Sequence, residues 1–282
     1  ADYPAFETLR VSTLAPRVLV VELHRPEKLN AMSSLLFEEV SACFEAVQRD
    51  SETRAVVLHG AGRGFSAGLD LTDGGLPLGS SGQDVAHTAL SIRRLGVSWQ
   101  RALSLLEECG RPVIACMHGA VVGAGLEMIS ACDVRFCTAD AFFVAAEVDA
   151  GLAADIGGLQ RLPKIVGNQS LVRELVMSGR RLSAQEAAQH GLVSRLLADK
   201  AQMMEEGVAL ASQLAAKSPV VMLGVKELLN FSRDHTVEDS LRFALTWNMA
   251  MLQGGDVKLA AAGLMMKQTP KFPDLPDARS KL

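Results

Sequence analysis

The stretch from Ala115 to Lys164, ACMHGAVVGAGLEMISACDVRFCTADAFFVAAEVDAGLAADIGGLQRLPK, constrains the chain more than any other. An apolar run, Val113 to Met117, stops at His118-Gly119 and gives way to Gly123-Ala124-Gly125. Apolar Leu126, Met128 and Ile129 then resume around one acid, Glu127. That order predicts a strand, a glycine turn and the start of a buried helix. Two more acids, Glu147 and Asp155, follow 20 and 28 positions beyond Glu127 among small or apolar neighbours. Carboxyls so placed are expected to be poorly solvated. Burial penalises the ionised form and raises the pKa, which lets an acid pass protons near neutral pH.

The rest of the chain supplies further strands and helices around this stretch. Val11 to Leu14 and Val18 to Leu23 flank Ala15-Pro16-Arg17 and predict a hairpin, and the polar HRPEKLNAM after it reads as a turn. Ser33 or Ser34 caps a helix to about Asp50, with Leu36, Val40, Phe44 and Val47 on one face. A short strand, Ala55 to His59, ends in GAGRGFSAGLDL, a loop whose glycines permit backbone geometries closed to other residues. Residues 72 to 83 read as a surface loop, and a long helix from Asp84 to about Cys109 is expected to break near Gly96. Val134 to Cys137 and Phe142 to Ala145 read as strands, so a strand, strand, helix pattern recurs without a fixed period and predicts a layered α/β fold. From Ile156 onward the signals are helical except for one strand, Leu192 to Leu197, and a boundary is placed near residue 200. Residues 1–199 are thus read as an α/β catalytic core and 200–282 as a helical region, whose methionines are read as packing or subunit-interface residues.

Composition excludes several classes of function. Lysine and arginine total 28 against 32 acids, a net charge of −4, so no overall basic field draws nucleic acid or an anionic membrane. The five cysteines show no C-x-x-C and no metal-type pairing with histidine, and are read as reduced core thiols. No run reaches the length of a membrane span, and ADYPAFETLR lacks the features of a signal peptide. The terminal Ser280-Lys281-Leu282 spells the S-K-L peroxisomal address, with mitochondria as the alternative compartment.

Two glycine loops, FSAGLDL and GAVVGAGLE, each follow a strand. The backbone N–H groups of Leu69 and Ala124 are candidates to bind an oxyanion forming on a thioester carbonyl; the simpler alternative is two tight turns without a ligand. Gly64-Phe65-Ser66-Ala67-Gly68 also matches the G-x-S-x-G nucleophile elbow, but neither His190 nor His235 follows a strand as that motif prefers. Gly123-x-Gly125 approaches a dinucleotide fingerprint, with Met128 where the third glycine belongs. On local sequence alone Asp155 reads as a helix cap, Glu127 as a first-turn acid and His118 as a packed strand-end residue.

HRPEKLNAM, GRGFSAGLDL, GAVVGAGLEMISACD and GLQRLPKIVG together resemble, in that order, the enoyl-CoA hydratase/isomerase, or crotonase, superfamily, and the likeness covers nearly the whole chain. The resemblance implies a spiral core of repeated ββα units with a C-terminal helical region, assembled as trimers paired into hexamers. It implies an acyl-CoA substrate whose thioester oxygen is held by the Leu69 and Ala124 N–H groups. Ser66, Ala67, Gly68, Leu69 and Asp70 would line the acyl-CoA site, Arg25, Lys28 and Leu29 would meet the nucleotide end of coenzyme A, and Lys271-Phe272 would add a C-terminal contribution. Hydratases of the family carry glutamates where Glu127 and Glu147 stand and a glycine where this chain has Asp155. The aspartate resembles the dienoyl-CoA isomerase branch of unsaturated fatty acid oxidation, although that branch typically has aspartate at the place of Glu127. The chemistry implied is a proton shift: Glu147 as base at C2, Asp155 as acid at C6, with those two interchangeable, and Glu127 as a positioning or tuning carboxyl. No metal or redox cofactor is called for. The rival readings are a 2-enoyl-CoA hydratase using Glu127 and Glu147, and a non-catalytic RNA- or acyl-CoA-binding member of the superfamily.

Overall fold

The computed structural model describes residues 3–73 and 84–276. In chain order it contains a hairpin of β1 (Leu9–Ala15) and β2 (Val18–Leu23), a 3-10 turn (Pro26–Lys28), α1 (Ser34–Arg49), β3 (Ala55–Gly60), α2 (Val85–Glu108), β4 (Val113–Met117), β5 (Ala120–Val122) and α3 (Ala124–Ser130). Then follow β6 (Val134–Thr138), β7 (Phe142–Val144), α4 (Gly158–Ile165), α5 (Gln169–Ser178), β8 (Leu182–Ser183), α6 (Ala184–Gln189) and β9 (Arg195–Leu197). Four helices close the chain: α7 (Lys200–Ala215), α8 (Pro219–Asp234), α9 (Val237–Met251) and α10 (Gly255–Met266).

The main sheet has the order β1-β2-β3-β4-β6-β9, antiparallel in the hairpin and parallel thereafter. A smaller sheet, β5-β7-β8, stands beside it. β3 and β4 are buried throughout because both faces of the main sheet are covered. Val56, Leu58, Val113 and Ala115 face a core shared with Phe37 and Phe44 of α1 and Leu103 and Leu106 of α2. Ala55, Val57, Ile114 and Cys116 face the other way, against Met203, Ala211 and Ala215 of α7. The strand period of two thus divides one run of apolar residues between two helical layers. α7 approaches so closely that a Cβ on Gly207 would lie 2.5 Å from Cys116 Sγ.

The expected boundary near residue 200 therefore falls at the start of a helix that completes the core, and the peripheral helices begin with α8. Two expectations are corrected. α2 runs unbroken through Gly96, at an open position where a missing side chain costs only the ~1 kcal/mol of glycine's lower helix propensity. The strand expected over Leu192 to Leu197 is confined to β9, because Leu192 and Val193 are used as core residues before pairing begins. Ser33 caps α1 as expected, accepting from the Leu36 N–H. The cysteines are all free and buried. Residues 74–83 of the expected surface loop, and the Ser280-Lys281-Leu282 ending, lie outside the described residues.

Candidate active site

The parallel strands β3 and β4 deliver both glycine loops to the same edge of the sheet, and backbone hydrogen bonds then zip the loops together. Phe65 N–H donates to His118 O, Ser66 N–H to Ala120 O and Val122 N–H to Ser66 O. Gly68 (φ +93°) and Gly123 (φ +49°) meet where this zipper ends, and a Cβ on Gly68 would lie 3.0 Å from Val122 O. The next residue in each loop is a proposed oxyanion donor. Among the described residues neither the Leu69 nor the Ala124 N–H meets an acceptor; Ala124 opens α3, where the helix offers its amide none.

The first loop is held from beneath by Asn30, fully buried, which the sequence had not singled out. Its Nδ2 donates to the carbonyls of Ala61, Gly64 and Phe65 at 2.8, 3.0 and 3.1 Å, and its Oδ1 accepts from Arg25 N–H. Ser66 Oγ donates to Asn30 O and accepts from Gly68 N–H. That hydroxyl is buried and committed to the backbone, which removes the nucleophile-elbow reading. His118 Nε2 lies 2.8 Å from Gly62 O and ties the second loop to the first. A polar residue between apolar Leu29 and Met32 was the sequence signal for Asn30, whereas nothing local marked His118 as a brace.

Of the three acids, Glu127 and Glu147 are neighbours, and Asp155 stands apart in a separate hollow with Gln100, Ser104 and Arg161. Glu127 is 4% exposed, and its Oε1 accepts the Gly158 N–H at 2.7 Å, so it serves the N-terminus of α4 from another helix. Glu147, half-buried in the turn after β7, stands within hydrogen-bonding reach of Glu127. Its Oε1 is buried without a partner and would lie 3.3 Å from a Cβ on Gly123, beside the Ala124 donor. The charge of Asp155 reaches both glutamates. Burial, and secondarily the two neighbouring carboxyls, push Glu127 up to about 8 against the hydrogen bond from Gly158. Burial likewise raises Glu147, opposed by its own backbone N–H and by the nearness of Glu127, with the Asp155 charge adding a little to the rise.

Asp155 departs from expectation in two ways. It is exposed rather than poorly solvated, in an irregular segment whose carbonyl accepts from Gln100 of α2. Nor does it cap α4: the N-cap is Gly157, without a side-chain hydrogen bond. Its carboxyl is therefore not consumed by helix capping.

Arg25, Lys28 and Leu29 lie against the first loop. Leu29 O accepts from Ala67 N–H, Arg25 pairs with Asp70 at 2.9 Å, and Lys28 is exposed at the end of the 3-10 turn. Lys271 and Phe272 are not brought to this place within one chain. Arg54, at the start of β3, donates to Phe272 O and Pro273 O and pairs with Asp274. This clamp fixes the tail at the sheet end opposite the glycine loops, about 16 Å away along a six-residue strand. Among the described residues no group of three or more histidine, cysteine or acidic side chains has the geometry of a metal site.

Residues 14–274 match the family model described as enoyl-CoA hydratase/isomerase. A mouse protein named mitochondrial Δ3,5-Δ2,4-dienoyl-CoA isomerase is 46% identical over 94% of this chain and 82% of its own length. An Arabidopsis thaliana protein named peroxisomal Δ3,5-Δ2,4-dienoyl-CoA isomerase is 38% identical over 97% of this chain and 99% of its own. The crystal structure of an enoyl-CoA hydratase from Bacillus anthracis superposes with a TM-score of 0.85 at 26% identity, covering 95% of this chain and 99% of that one.

Proposed function

The chain belongs to the enoyl-CoA hydratase/isomerase family, and from that premise we propose that it is a Δ3,5-Δ2,4-dienoyl-CoA isomerase acting in unsaturated fatty acid oxidation. The observation that carries this reading is a third carboxyl, Asp155, in electrostatic reach of buried Glu127 and half-buried Glu147 and free of any capping duty. Moving a proton from C2 to C6 requires acid–base groups at two ends of a flat conjugated chain, and a pair at one end does not suffice.

In the mechanism, the thioester oxygen accepts from Leu69 and Ala124 N–H as the dienolate forms. Glu147, adjacent to Ala124, is the base that removes a proton from C2. The electron pair of that C–H bond forms C1=C2 with the charge on the thioester oxygen; as this oxyanion collapses, the C1=C2 pair becomes C2=C3, the C3=C4 pair shifts to C4=C5, and the C5=C6 pair takes a proton from Asp155 at C6. Atoms and charge balance without a metal or redox cofactor. Arg25, Lys28, Leu29 and Ser66 to Asp70 would hold the coenzyme A portion, and Glu127 positions the base. The peroxisomal address is the finer proposal for location, tested by following a tagged chain with and without Ser280-Lys281-Leu282.

The hydratase reading uses the same glutamates to hold a water. Purified protein assayed with 3,5-dienoyl-CoA and with crotonyl-CoA separates the two. Rapid appearance of the conjugated 2,4-dienoyl chromophore is expected. Rapid hydration of crotonyl-CoA with 3,5-dienoyl-CoA untouched would contradict the proposal.

A further inference from the structure

We propose that Arg25 and Asp70 are positioning residues for the oxyanion donor: their ion pair, locked to the backbone of residues 29–32, fixes the direction of the Leu69 N–H. For the reaction it serves, this assignment rests on the isomerase reading, and it gives both residues a duty beyond lining the coenzyme A portion.

Leu69 lies in a stretch that runs between two backbone neighbours. On one side Ser66 N–H donates to Ala120 O and Val122 N–H donates to Ser66 O, which ties the stretch to β5. On the other side Met32 and Leu69 form an isolated parallel bridge, in which Met32 N–H donates to Gly68 O at 2.7 Å and Asp70 N–H donates to Met32 O at 3.0 Å. The residues flanking Leu69 thus spend their groups on Met32. Leu69's own N–H turns to the opposite side, toward β5 and Ala124. The aim of the oxyanion donor is therefore set by Met32.

Met32 in turn ends a segment that does not hold its shape alone. Leu29 and Asn30 both adopt left-handed backbone, at φ +50° and +54°, which is costly for residues other than glycine and persists only where surrounding contacts enforce it. Asn30 supplies part of that enforcement through its buried bonds to the first loop. Arg25 supplies the rest. Its backbone N–H donates to Asn30 Oδ1 at 2.9 Å, and its carbonyl accepts from Asn30 N–H at 2.8 Å. Its guanidinium then reaches across the bridge. Nη1 donates to the carbonyl of Ala31, which precedes Met32, and Nη2 pairs with Oδ2 of Asp70, which follows Leu69, at 2.9 Å. One planar fork staples both sides of the bridge, a geometry that the single ammonium of a lysine does not reproduce. The other Asp70 oxygen accepts from the Thr72 hydroxyl and N–H, which hold the carboxyl below its ordinary range and keep it ionised. With side chains only 18% and 6% exposed, the pair is sheltered from the screening that makes surface ion pairs weak.

Asp70→Asn tests the proposal, because the charge acts in opposite directions in the two duties. Coenzyme A is polyanionic. If Asp70 only lines its site, loss of the carboxylate charge leaves affinity for the 2,4-dienoyl-CoA product unchanged or tighter and kcat untouched. If Asp70 anchors Leu69, kcat for 3,5-dienoyl-CoA at saturating substrate falls at least about fivefold while product affinity holds, short of the roughly 100-fold that deleting an oxyanion donor costs. Arg25→Met keeps the aliphatic stem and removes both donors, and is expected to lose at least about tenfold in kcat. The double variant should lose no more than Arg25→Met alone, because both changes break one contact. Should Arg25→Met fail to fold, Asp70→Asn carries the test, being equal in shape and still able to accept from Thr72. A spectroscopic reading needs no turnover. Two aimed N–H groups polarise the conjugated thioester and move the ultraviolet absorption of bound 2,4-dienoyl-CoA to longer wavelength, and each variant should show a smaller shift than the wild-type protein. A kcat within about twofold of wild type in either variant, a full absorption shift in both, or losses that multiply in the double variant would overturn the proposal and leave the isomerase reading standing. Wild-type protein inert toward 3,5-dienoyl-CoA would bring down that reading instead, and the absorption shift of the bound product would still decide the positioning.

Discussion

Carboxyl chemistry in this protein is set by what surrounds each group rather than by the residue type. Glu127 and Glu147 differ from surface glutamates because the fold removes water and supplies few donors, and Asp155 differs from both by standing in solvent. Sequence alone made all three look alike, since small apolar neighbours accompany a buried turn and an exposed loop equally well. The capping reading of Asp155 is reasonable locally and fails because Gly157, at φ +130°, takes the N-cap of α4 two residues later. Gly123 shows how little tolerance the site has. Its φ of +49° disfavours a side chain, and a Cβ there would press on Glu147 Oε1. Gly123→Ala is expected to cost about 1 kcal/mol or more of stability, read from the urea midpoint, and to lower kcat more than binding. Unchanged turnover would mean that Glu147 can shift without consequence.

At the scale of elements, the hairpin, the cap of α1, the two central strands and both glycine loops were legible, because each rests on a local pattern. The three-residue strand β5 and the two-residue β8 were not, since pairing that short leaves no periodicity. The duty of α7 was hidden for a different reason: an amphipathic helix records which face is apolar and says nothing of the layer it covers. Lys226 of α8 is similar, a lysine buried to 4% exposure that donates to Leu106 O and Arg111 O and pairs with Asp133 at 2.7 Å. Its burial is intelligible only once those partners are assembled around it. If α7 belongs to the core, Met203→Ala should destabilise the protein by about 2–5 kcal/mol in one cooperative urea transition. A separate early transition, with the sheet unaffected, would restore the boundary at residue 200.

For the whole molecule, the described surface is unusually apolar along the last helices. Leu241, Leu245, Met249 and Leu252 line one side of α9 and its end at 64–66% exposure, and Leu264, Met265 and Met266 are exposed on α10. Side chains of this kind in such number mark a surface fitted for contact with another molecule. Assembly through α8 to α10, as trimers or hexamers, is our proposal, and it agrees with the tail residues Lys271 and Phe272 lying away from their own chain's loops. Sedimentation should give a mass several times that of one chain, and Leu241→Arg with Leu245→Arg should reduce it. A monomer at micromolar concentration would contradict this.

Asp155 is the group we propose to deliver the proton at C6. The most direct measurement is isomerisation of 3,5-dienoyl-CoA by Asp155→Asn, beside the affinity of the same variant for the 2,4-dienoyl-CoA product. A loss in kcat of at least about 100-fold with product affinity preserved is the expected result. Turnover close to that of the wild-type protein would contradict it and return Asp155 to an ordinary surface aspartate.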